Sequence, residues 1–339
     1  MTNRRVYYAT AGVTITGIGT TADTASHVAR GLQTFSTDVN LNLESVFEIG
    51  QAAEYEQVEG LPEVNMTLNK VLDGNCPLYL LATNGSTTSD IGGRGDTQCI
   101  VRSYIYPDDH LSASGTPLQQ LTMSGAYVES VGYNFPVEGP FNEDLTLSST
   151  SRTWKSASFD FSGDMFDNTD TPEAVEGVNQ RENLIFLPVA TGTQLPPEVA
   201  GITSSGTNEE TNGVFGASIQ NLTVSVDFGR EDILELGRFK EYAKLRAPVS
   251  EVTTEVEAIA KTGDLFDVSE NGGNTTDRTI FIRTEEGLQI DLGTKNRIQS
   301  LSFGGFDAGG GNGTITYSFR NSNDFDIKHS GDITSALRP

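Results

Sequence analysis

The chain has 339 residues, with 22 Lys plus Arg against 46 Asp plus Glu and a formal net charge of −24 at pH 7. That length is ample for a core without covalent staples, and that charge repels a polyanion, which excludes a nucleic-acid reader. The two cysteines, Cys76 and Cys99, form neither a metal-ligand spacing nor a disulfide framework and fit assembly in a reducing compartment. Glycine (36), phenylalanine (17) and tyrosine (10) sit among dense Thr, Ser, Asn and Asp, a composition that favours strands joined by tight turns.

In chain order, residues 1–26 read as an N-terminal arm or loop, residues 27–330 as one β domain with insertions near 84–98 and 162–213, and residues 331–339 as a tail. The opening "MTNRRVYYATAGVTITGIG" is broken by Thr, Tyr and Gly too often for a signal-peptide core. No apolar run of about 18 residues predicts a membrane span. Gly17, Gly19 and Ala22 match a GxGxxA pattern, but no strand-helix-strand repeat follows, so a Gly-rich loop is preferred to a cofactor site.

"EVNMTLNK" predicts a strand with Val64, Met66 and Leu68 on one face, and "LNKVLDG" a short helix stopped at Gly74. The loop at 84–98 contains Arg94, Gly95 and Asp96, an RGD tripeptide of the kind that chance places in Gly-rich turns. "FDFSGD" sets Asp160, Ser162 and Asp164 at alternating positions, yet lacks the glycine and closing acid of a calcium loop. Turn signals recur at 84–85, 138–140, 271–274 and 309–313.

"SIQNLTVSVDF" alternates through Leu222, Val224 and Val226, and "GTITYSF" through Ile315, Tyr317 and Phe319. Between them "DFGREDILELGRFKEY" predicts a helix, with Glu231 and Asp232 in its first turn and Arg238 and Lys240 near its end. His27, His110 and His329 are scattered without a nucleophile motif. No catalytic, cofactor-binding or metal-ligating residue is nominated, and a non-enzymatic role is expected.

"SEVTTEVEAIA", residues 250–260, predicts a strand in which Val252, Thr254, Val256 and Ala258 point one way and Glu251, Thr253, Glu255 and Glu257 the other. The carboxylates repel one another along such a strand, so the face must serve something other than folding.

Three segments, in order, resemble the bacteriophage tail tube (major tail protein) family. They are "LESVFEIGQAAEYEQVEGLPEVNMTLNKVLDG" at 43–74, "VESVGYNFPVEGPFNEDLTL" at 128–147 and "SVDFGREDILELGRFKEYAKLRAPVSEVTTEVEAIAKTGD" at 225–264. The resemblance implies two packed antiparallel sheets, as a sandwich or partial barrel, with one or two flanking helices and long inserted loops. Six copies would close a ring, and stacked rings would form the tube of a virion tail assembled in the host cytoplasm.

One sheet would line the channel, with Glu251, Thr253, Glu255 and Glu257 facing passing DNA while Val252, Val256 and Ala258 pack inward. Carboxylates suit that task, because they repel phosphates that lysine or arginine would hold. Implied partners are further copies of the chain, a tape-measure protein, baseplate and tail-terminator proteins, and a sheath protein if the tail contracts. The N-terminal 26 residues, the loop at 84–98 and residues 323–339 are the expected ring-stacking segments. Two other functions compete: the tube of a bacterial contractile injection system, and a carbohydrate-binding β-sandwich. The latter would need clustered aromatics, and Trp154 is the single tryptophan. A two-carboxylate glycoside hydrolase rests on acid abundance alone.

Overall fold

A computed structural model describes residues 11–18, 26–86, 88–106, 115–161, 165, 177–189, 219–260, 268–269, 272–273, 277–284, 287–305 and 312–329. The first strands are β1 (Ala11–Ile18), β2 (His27–Val28), β3 (Leu32–Asn40), β4 (Leu43–Phe47), β5 (Glu54–Glu59) and β6 (Glu63–Val71). Two short helices follow, α1 (Leu78–Ala82) and α2 (Ile91–Gly95). Next come β7 (Gln98–Ile105), β8 (Gln119–Pro136), β9 (Asn142–Ser149), β10 (Arg152–Lys155) and β11 (Leu184–Val189). The remainder adds β12 (Ile219–Asp227), β13 (Glu231–Ile233), β14 (Ala243–Leu245), β15 (Glu251–Ile259), β16 (Val268–Ser269) and β17 (Gly272–Gly273). It ends with β18 (Thr279–Thr284), β19 (Leu288–Asp291), β20 (Arg297–Gly304), β21 (Thr314–Ser322) and β22 (Asp326–His329).

The chain is mainly β, as its composition predicts, and the long strand β8 organises it. The first part of β8 pairs with β7 and β10, giving sheet I in the order β2-β1-β7-β8-β10. From Tyr127 onward the same strand pairs with β9 and β12 at the middle of sheet II, in the order β3-β6-β9-β8-β12-β15-β21-β20. The changeover lies at Gly125, whose φ of +63° favours glycine, and at a register shift between Val128 and Ser130. Sheet III is the separate set β11-β18-β19-β22, and β4-β5, β13-β14 and β16-β17 are isolated hairpins.

All three sheets and α1 contribute to one core. Val13 and Val101 come from sheet I, Met66, Leu145, Val224 and Val256 from sheet II, Ile282 and Ile290 from sheet III, and every one is buried. Tyr79 of α1 lies 5.5 Å edge-on from Phe325 and 6.2 Å, stacked, from Phe228. A five-residue helix does not hold itself in water, so α1 exists because its buried side chains fill the space between the layers.

Several sequence expectations are corrected. Residues 68–71 continue strand β6 instead of starting a helix, because β3 and β9 bond to both of its edges and extend its alternation through Lys70. The helix expected at 227–242 is a hairpin of β13 and β14. Asp227 accepts the Gly229 N–H at 2.8 Å, and Gly229 and Gly237 take φ of +53° and +88°, conformations that end a helix. Residues 11–18 of the expected arm form β1, inserted between β2 and β7, with Val13 and Ile15 buried. The insertion near 162–213 contributes β11 to sheet III, and the loop at 84–98 contains α2. The tail at 331–339 lies outside the described residues.

Candidate functional site

Strand β15 has the two faces expected of it. Val252, Val256 and Ala258 are fully buried, and Thr254 joins them, while Glu255 is exposed and Glu251, Thr253 and Glu257 are half-buried. The register carries this division across its neighbours. Glu251, Thr253, Glu255 and Glu257 stand beside Asp227, Ser225, Thr223 and Asn221 of β12. On the other side they stand beside Ser322, Arg320, Ser318 and Thr316 of β21.

Seven antiparallel steps make this outer face eight strands wide, and Ser, Thr and Asn dominate it. Its charged members are Asp38, Glu63, Glu129, Asp144, Asp227, Glu251, Glu255 and Glu257 against Arg297 and Arg320, with Glu129 set in the bulge of β8 and accepting a bond from Ser148. The glutamate row is not uniform. Arg320 reaches diagonally to Glu251 at 2.8 Å, which relieves repulsion at that end. Gly132 puts no side chain on the face, and a hollow of about 430 Å³ opens around it between Asp144, Asp227 and Glu251.

Beneath the face a buried polar cluster fixes the layer. The Glu143 carboxylate accepts N–H bonds from Leu78 (2.6 Å) and Tyr79 (2.9 Å), and a bond from the Tyr133 hydroxyl (2.9 Å). Burial raises its pKa, and the three donors and the Lys70 charge pull against that rise. Lys70, fully buried on the same strand as Met66, donates to the Arg30 carbonyl at 2.7 Å and to Asp73 at 2.8 Å. Cys76 lies beside this cluster, its thiol pKa raised by burial and then by Glu143. Burial also pushes the Cys99 thiol up to about 12.

The other singled-out residues are dispersed. Gly17 lies in β1, where a Cβ would come 2.7 Å from the Gly85 nitrogen, so close backbone approach accounts for it; Gly19 and Ala22 lie outside the described residues. Arg94 of the RGD tripeptide is buried and bonds the Thr83 hydroxyl at 3.1 Å, while Asp96 is exposed. Asp160 is held below the usual carboxylate range, first by the Gln120 amide and then by Lys155 and Arg102. Ser162, Asp164 and His110 lie outside the described residues. His27 and His329 are on β2 and β22, in separate sheets.

Sequence reasoning missed two exposed apolar hairpins. Fifteen of the 19 large apolar side chains exposed among the described residues lie in two segments, 39–58 and 233–249. In the second, the apolar spacing suits an amphipathic helix, which hides the outward-facing hairpin. The signal available was glycine at 229 and 237. No family model matches the chain, and no curated protein matches it.

Proposed function

We propose that this chain is a structural subunit that joins copies of itself into a ring and, by stacking, into a tail tube whose channel passes DNA. In this reading it does no chemistry, and its partners are those of a virion tail. The observation that carries it is sheet II: a wide Ser/Thr/Asn face with eight carboxylates and two guanidinium groups, backed by a continuous core. Such a face offers a passing duplex few positive charges to hold its phosphates, and at pH 7 it keeps like charge towards them.

The edges of the sheet support the same reading. Among the described residues β3 and β20 each have one partner strand, and seven antiparallel steps separate them, so they run in opposite directions. Rotation about an axis along the strands preserves direction, so β20 of one copy meets β3 of the next antiparallel. Both edges also carry incompletely covered apolar residues on the core side, with Val39 39% and Phe303 44% exposed. A partner strand would cover these and satisfy the open backbone groups. The copy number of six comes from the resemblance.

Negative-stain electron microscopy of the purified chain, over a range of protein and salt concentrations, tests the proposal. Hollow rings or stacked tubes are expected, favoured by salt that screens a chain charge of −24. Particles that stay single chains at every condition overturn it.

A further inference from the structure

The two exposed hairpins differ in charge: the first is purely acidic and the second is mixed. Every strand residue of β4 and β5 is exposed, and Phe47 (66%), Ile49 (103%) and Tyr55 (66%) stand out from the molecule. Between Arg30 and Lys70 there is no basic residue, and the hairpin carries Glu44, Glu48, Glu54, Glu56 and Glu59. The β13-β14 hairpin also presents apolar side chains, Leu234 (63%), Leu236 (105%), Phe239 (63%) and Tyr242 (61%). Unlike the first hairpin it also carries bases: between its rooted ends, residues 231–245 hold Arg238, Lys240 and Lys244 beside Glu231, Asp232, Glu235 and Glu241, and Lys244 meets Asp232 at 3.6 Å.

This second hairpin is rooted firmly. Arg230 donates to the carbonyls of Val128 and Gly95 and lies 4.6 Å over the Tyr127 ring. Arg246 bonds Ser250 at 3.0 Å, and Thr150 holds Glu241 at 3.0 Å. Arg238 and Lys240 are left near the exposed tip, with Arg238 meeting Glu235 at 3.5 Å.

Both hairpins leave the same end of sheet II. The registers of β6 with β9, β9 with β8 and β8 with β12 align the start of β6 with the end of β12. Each hairpin therefore keeps its level under rotation about an axis along the strands, so the contact relates lateral neighbours. If β20 and the next β3 pair, the two hairpin bases of adjacent copies are about four strand spacings apart, roughly 19 Å. The seven residues 43–49 span roughly 23 Å at about 3.3 Å each, enough to cross that gap.

We infer that the acidic, apolar β4-β5 hairpin of one copy lies on the apolar tip of the β13-β14 hairpin of the laterally adjacent copy, beside Arg238 and Lys240. This rests on the self-assembly reading and names its contact. The occupant is a second copy of this chain because that copy supplies a second exposed apolar hairpin, with Arg238 and Lys240 at its tip to meet the glutamates of β4-β5. A hydrophobic contact rimmed by opposite charge would hold a chain whose net charge of −24 otherwise opposes association.

The test compares assembly of the full chain by sedimentation velocity and electron microscopy in three charge variants. One is Glu54→Lys with Glu56→Lys, the second is Arg238→Glu with Lys240→Glu, and the third combines all four. Each half is expected to raise the concentration for half-assembly at least tenfold, and the combination to recover at least most of it. Thermal unfolding should be unchanged, since all four side chains are exposed. In parallel, Ile49→Cys mixed with Leu236→Cys should give an oxidised cross-linked dimer, and neither alone should. Wild-type assembly with both halves unaffected, or with no cross-link in the mixture, overturns this contact and leaves the self-assembly reading standing. A wild-type chain that never assembles overturns that reading and the contact with it.

Discussion

Glu143 Oε2 accepts a 2.6 Å hydrogen bond from the backbone N–H of Leu78, 65 residues away in the chain. The bond ties sheet II to the first turn of α1, whose N-cap, Pro77, offers no side-chain acceptor. Glu143→Gln turns an amide N–H towards the Leu78 N–H and should destabilise the fold by about 1–3 kcal/mol. Glu143→Ala strands all three donors and should cost more. Urea unfolding at fixed pH measures both, and an unchanged slope would assign the loss to the native contact.

Lys70 has no exposed surface, and Asp73 is its ionic partner at 2.8 Å. Asp73→Ala leaves a buried ammonium with the Arg30 carbonyl and should cost about 3–5 kcal/mol. Lys70→Met with Asp73→Asn removes the charge pair together and should cost clearly less than the sum of the single changes. A double-mutant cycle in urea reads that difference.

His329 is buried, and its pKa falls to about 4 through desolvation and the nearby Lys70 charge, with Asp73 opposing. The folded chain keeps the imidazole neutral, while the unfolded chain takes up a proton below about 6.5. Stability from this group is therefore full above pH 6.5 and is lost as pH falls towards 4, by up to about 3 kcal/mol. His329→Gln should flatten that part of the stability profile. Comparing the two chains by urea unfolding between pH 7 and 4 separates His329 from the carboxylates they share.

Alternation was the legible part of the fold. Val64, Met66 and Leu68, Leu222, Val224 and Val226, and Ile315, Tyr317 and Phe319 are all buried on strands. So were the two faces of β15, because Val, Thr and Glu at period two leave one pattern of burial. Strand order was not legible, since it depends on pairings such as Asn69 with Asp144 and Leu222 with Phe135, set by core packing across long stretches. Lys70 fell where the predicted strand 63–70 and the predicted helix 68–74 overlap, because nothing local announces that the Arg30 carbonyl and Asp73 receive its ammonium. The outward hairpins were hidden for the opposite reason: their apolar residues imply burial, and none of the described residues covers them.

Glu255 provides a direct probe of which side of an assembled tube sheet II faces. Its side chain is exposed, and among the described residues no ion pair holds it, so Glu255→Cys should change stability by less than about 0.5 kcal/mol. The two native thiols make a quiet background, because burial raises the pKa of both Cys76 and Cys99 and starves them of thiolate. A small maleimide should label the introduced thiol in single chains and in tubes alike. A maleimide carried on a polymer too bulky for the channel should label single chains and fail on tubes. Equal labelling of tubes by both reagents would put the glutamate row on the outer wall.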